Sequence, residues 1–212
     1  MNEKDFLQFI ERTSAFQAEI AKIISRLNPA SEGRLFVAFQ SGLLAFEHAT
    51  AALQLISSRL LPSGYSLFRP QFESLVRGIW LLHAASDKWI DTLSQPLTLE
   101  AANKSNQGPT LAEMLVQLGK SEAPAHIVEQ LQEFKDITWK ALNSYTHGGL
   151  HPISRTMTGY PFQLTYHAMR NSNAVTALTV QLLAILAGKP ENMAAIRRLH
   201  NEFVDCLPII NI

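Results

Sequence analysis

Along almost the whole chain apolar residues return every three to four positions, and alternating runs are absent, so the pattern predicts helices and no sheet. Phe6, Phe9, Ile10, Phe16, Ile20, Ile23 and Ile24 mark a first helix that stops at Asn28-Pro29. Ser31 is placed to cap a second, which carries Phe36, Phe39, Leu43, Phe46 and Leu53 and is ended by Pro62-Ser63-Gly64. A third is expected from near Tyr65 to near Leu93, before a polar loop over Ser94 to Gly108. Thr110 to Leu118 reads as a short helix. Pro124 suits the first position of the next, which runs to His147 before Gly148-Gly149. Pro161 opens a helix to Gly188, and a last one spans Glu191 to Leu207. Long helices with short connections predict an all-α, up-and-down bundle of about six to seven helices in a single domain.

The third helix departs from a plain apolar pattern. Arg69, Glu73 and Arg77 are four apart and stack on one face, with Trp80 between them. Phe68, Phe72, Leu75 and Ile79 cover the other side, and Gln71, Ser74 and Gly78 leave no solvated charged face opposite. Such a helix is expected at the centre of its bundle. Its charges are then either a mutually neutralising lock or a site, because a buried charge is costly unless paired. If all three are buried, removing one should cost about 3–5 kcal/mol.

A second polar stripe ends the helix after Pro124. Asp136, Lys140, Asn143 and His147 follow steps of four, three and four and share a face. For Asp136 and Lys140 a solvated face explains the pattern. His147 stands at the helix end, where exposed carbonyls favour a cation and the glycine pair lets the chain turn. It suits proton transfer near neutral pH, and equally a plain cap. Just beyond, His151 and Arg155 could join His147 and the arginine stripe around an anion such as a phosphodiester, since guanidinium forks match phosphate oxygens. The expected arrangement is one shared cavity.

Composition narrows the classes. The chain has 212 residues, 47% hydrophobic, enough to bury a large core. Eighteen basic residues balance 18 acidic ones, which argues against avid non-specific nucleic-acid binding but leaves a local basic groove open. Cys206 is the single cysteine, so no disulfide framework or thiolate metal site is expected, and it reads as a small buried hydrophobe. His147 and His151 have the four-residue spacing of helical zinc ligands, but Gly148-Gly149 and Pro152 are expected to interrupt any helix between them. Glu47-His48 lacks the repeated partner pair of di-iron bundles. No metal and no cofactor are expected. His48 and His83 read as buried histidines bonded to neighbours, and His126, His167 and His200 carry no signal. The N-terminus begins a charged amphipathic helix without a leader-peptide core, and the apolar run from Ala174 to Ala187 is too short to span a bilayer. A cytoplasmic protein is expected.

Taken in order, Glu47-His48-Ala49, Arg69-Pro70-x-x-Glu73-x-x-x-Arg77 and Tyr145-x-His147-Gly148-Gly149 resemble a group of bacterial helical proteins similar to the HEPN superfamily and to abortive-infection-type proteins. The resemblance covers residues 40 to 155, in a core of 30–155 to which 1–28 and 161–207 add packing helices. It implies a homodimeric bundle and a metal-independent ribonuclease in a toxin or antiphage role. The family motif is an arginine followed after four to six residues by a histidine near a helix end. His147 matches the histidine, while Lys140 stands at the outer limit of the arginine window and holds phosphate only as a point charge. On this reading His147, Lys140 and Asn143 are catalytic, with Arg69, Glu73, Arg77, Tyr145, His151 and Arg155 binding RNA. The rival expectation is a non-catalytic helical module that binds a protein or small anion or dimerises, its Arg/Glu cluster a structural salt-bridge network.

Overall fold

The apolar spacing builds what it predicts. In the computed structural model, which describes residues 1–96, 98–99, 108–188 and 190–208, every regular element is helical and no strand occurs among the described residues. We label the helices α1 (Glu3–Ile24), α2 (Gly33–Ser57), α3 (Leu61–Ser66), α4 (Phe68–His83), α5 (Asp87–Ser94), α6 (Leu111–Leu118), α7 (Ala125–Thr146), α8 (Leu150–Thr158), α9 (Phe162–Leu186) and α10 (Pro190–Glu202). A short 3-10 turn, Val204–Cys206, follows.

Helix α4 is central. It packs chiefly along α2, with α9, α6 and α7 on its other sides, while α9 also joins α2 to α1 and α10. Close approach depends on small residues: a Cβ added at Gly78 would stand 2.8 Å from Leu182 Cδ2 and 3.3 Å from the Ala38 carbonyl oxygen. Ser41 Oγ donates to the Ser74 carbonyl at 2.9 Å and ties α2 to α4. One apolar cluster surrounds Trp80, Phe72, Leu75, Met114 and Leu118, all 1% exposed or less. A second gathers Phe16, Ile20, Ile56, Met169 and Phe203 where α1, α2, α9 and α10 meet. Each such side chain contributes about 1.5–3 kcal/mol through removal from water.

Several boundaries differ from the sequence reading. The expected helix from Tyr65 to Leu93 is three helices. Tyr65 belongs to α3, which Pro62 enters in its first turn, and α4 stops at His83. There the Arg34 guanidinium donates to the carbonyls of Leu81 and Ala85 at 2.7 and 2.8 Å and to Asp87 at 2.8 Å, so a side chain from α2 satisfies the helix end. Pro152 does not interrupt a helix either. It occupies the first turn of α8, where an N–H has no intrahelical partner to lose. The cap of α2 is Glu32 rather than Ser31, without a side-chain bond. The predicted Thr110 start is matched closely: Thr110 and Glu113 form a reciprocal capping box. The expected loop over Ser94 to Gly108 lies mostly outside the described residues. Cys206 is fully buried, which pushes its thiol up to about 11.

Candidate functional site

The helical register of α4 and α7 decides which predicted residues meet. Arg69, near the start of α4, and His147, just past the end of α7, touch directly: Arg69 Nη1 lies 2.6 Å from His147 Nε2. A guanidinium can only donate, so Nε2 accepts and the ring is neutral in this arrangement. One turn further along α4, Glu73 Oε1 pairs with Arg69 Nη2 at 3.1 Å and accepts from Nε at the same distance. The Arg69 guanidinium also stands over Trp139, with Cζ 4.9 Å from the ring centroid, a cation–π contact. The pair is only partly buried, with 21% and 30% of the two side chains exposed. His147 itself is exposed and caps α7, its N–H donating to the Asn143 carbonyl at 3.0 Å.

The expected ladder is therefore not a single unit. Among the described residues Glu73 pairs with Arg69 and not with Arg77, which packs against Gly108, where an added Cβ would lie 3.1 Å from Nη1. Burial lowers its pKa and the charge of Glu73 opposes that shift. Trp80 is buried, its indole donating to Gln117 Oε1 at 2.8 Å, and does not face a site. Lys140 and Asp136 are exposed, as a solvated face requires. Asn143 carries a buried Oδ1 with no hydrogen-bond partner, one turn before His147.

The remaining predicted residues lie elsewhere, so the expectation of one shared cavity is corrected. A cavity of about 370 Å³ between α3, α4, α7, α8 and α9 is lined by Tyr145, His151 and Arg155, and not by Arg69, Glu73, Arg77, Lys140, Asn143 or His147. The physical reason is the register of α7. Tyr145 and Leu142 face inward, whereas Trp139 and the cap residue His147 meet Arg69 on another side of the same helix. The turn between the two regions is made by Gly148, at φ +62°, and by Gly149, whose N–H donates to the Ser144 carbonyl at 2.7 Å. Ser144 Oγ then accepts from the His151 N–H at 3.0 Å and starts α8.

Two contributors escaped the sequence reading. Trp139 precedes Asn143 and His147 by steps of four, so the spacing that marked the polar stripe could have included it. Tyr65 had no such signal. Its ring lies tilted, with its centroid 4.6 Å from that of Tyr145 and 5.4 Å from that of Tyr160, through contacts that only the assembled bundle makes. Burial raises all three phenols, with Tyr65 pushed up to about 12, while the Arg155 charge pulls each the other way. His48 is partly buried and His83 exposed, so neither is the buried histidine expected. Among the described residues no three His, Cys, Asp or Glu side chains gather as metal ligands, and no helix is long and apolar enough to cross a membrane.

An all-helical bundle with a guanidinium–imidazole contact at its edge and a polar-rimmed cavity inside defines the class of this molecule. Residues 42–209 match the family of unknown function DUF6988, and the chain belongs to that family. No curated protein and no solved structure matches it.

Proposed function

We propose that the edge formed by Arg69, Glu73, Trp139, Lys140, Asn143 and His147 acts on RNA without a metal, in the HEPN-like toxin or antiphage role that the sequence resemblance implies. The contact between Arg69 and His147 carries the reading. The linear motif offered only Lys140, and a neighbouring helix supplies the missing guanidinium in space. An incoming phosphodiester competes for Arg69, whose fork binds two non-bridging oxygens. His147 Nε2, released from that contact, takes the proton of the 2′-hydroxyl as its oxygen attacks phosphorus. The bond from phosphorus to the 5′ oxygen breaks, and water protonates the leaving oxygen. Trp139 offers a face for a base to stack on. Asn143 and Lys140 lie on the same stripe to orient and neutralise the phosphate.

Purified protein incubated with total RNA and excess chelator should give fragments with cyclic phosphate ends. His147→Ala should abolish them without changing the melting temperature, because the ring is exposed. Cleavage that survives this substitution, or none by the wild type, ends the proposal.

A second reading has its own support. Glu73 already neutralises Arg69, as a structural ion pair in a non-catalytic binding or dimerisation module would. A homodimer fits the exposed apolar stripe Leu150, Ile153 and Met157 on α8, at 76%, 57% and 77% exposure.

A further inference from the structure

The cavity beside α7 is separate from the edge just described and has its own chemistry. Its walls are largely apolar, with Phe68, Phe134, Leu142, Leu164 and Val175 among them. Arg155, His151 and His167 are among its polar lining groups, and no aspartate or glutamate among the described residues lines it. Among the described residues no carboxylate lies within ion-pair distance of Arg155. The described residues thus hold a guanidinium against an apolar chamber without pairing it to a carboxylate. Gln71, deeper in the wall, is occupied: its amide donates to the Ser172 carbonyl and Thr176, and its oxygen accepts from Ser172 Oγ. The permanently charged group of the lining is therefore the Arg155 guanidinium, on α8.

We propose that this cavity binds an amphipathic organic anion, an apolar body bearing one carboxylate, with the carboxylate on Arg155 and the body between Phe68, Phe134 and Leu142. The volume of about 370 Å³ falls in the lower range of small-molecule sites and suits an aromatic acid or a medium-chain aliphatic acid. A carboxylate on a guanidinium makes a charge-assisted, bidentate pair, which an uncharged amide cannot reproduce. Burial raises the Tyr65 and Tyr145 phenols, so neither adds a negative charge beside that anion; the Tyr65 hydroxyl itself donates to Thr165 Oγ1 at 3.2 Å.

Isothermal titration of the full chain with phenylacetate and octanoate, each against its amide, tests the assignment. Saturable binding of at least one acid is expected, with its amide about tenfold weaker or more. Arg155→Gln should reduce the acid to the level of the amide. Ala168→Trp, which fills the chamber from α9, should abolish binding; Arg155→Gln decides the matter alone if that variant does not fold. Failure of the wild type to bind either acid overturns the proposal. So does an acid affinity that Arg155→Gln leaves unchanged.

Discussion

Arg69 and Glu73 show how exposure sets the worth of a charge. Read as a buried structural lock, the three stacked charges would each cost about 3–5 kcal/mol on removal. The observed pair is partly in water, and solvent screens it. Arg69→Ala should therefore lower stability by about 1 kcal/mol, with some of that from the lost Trp139 contact, as read by urea denaturation. A loss several times larger would mean that the edge is a structural lock. His200 makes a different residue-scale case. Its Nε2 is buried without a hydrogen-bond partner, and burial lowers the pKa of the ring, as it does for His48. The folded state then resists protonation that the unfolded chain accepts at about pH 6.5. This contribution to stability is complete above that pH and is lost as pH falls through the depressed folded value. Melting temperature should drop between about pH 7.5 and about pH 5.5, and His200→Gln should flatten the slope.

Among the elements, α4 shows what patterning can and cannot reveal. Its central position was legible, because no face of Phe68 to Trp80 could be left to water. Its end was not. The stop at His83 depends on Arg34, 47 residues before the Leu81 carbonyl that it binds, and no local signal carries such a contact. The Pro152 error has another cause: proline breaks a helix interior but not a first turn, and the glycine pair hid where α8 begins. At Gly78 helix propensity and packing oppose each other. A β-branched side chain there meets the Ala38 carbonyl, a backbone atom that cannot swing aside. Gly78→Val should destabilise by about 1–3 kcal/mol in the same denaturation assay, despite replacing glycine inside a helix.

For the molecule as a whole, the helical class and most helix positions followed from the period of the apolar residues, but the division of the polar set did not. Tyr145 and His147 are two apart, on different sides of α7, and only the placement of α4 and α9 assigns each a neighbour. The α8 stripe bears on assembly in the same way. If a second copy covers Leu150, Ile153 and Met157, Ile153→Glu should shift the mass measured by light scattering from dimer to monomer and leave the helical content unchanged.

Gly148 has a consequence for both regions. Its left-handed backbone, costly to any other residue by about 1–2 kcal/mol, is the pivot from which α8 leaves α7. Replacing it would tilt the segment bearing Arg155 and disturb the imidazole immediately before the bend. Such a lesion would resemble two unrelated defects, one in each half of the chemistry, although the altered atom touches neither.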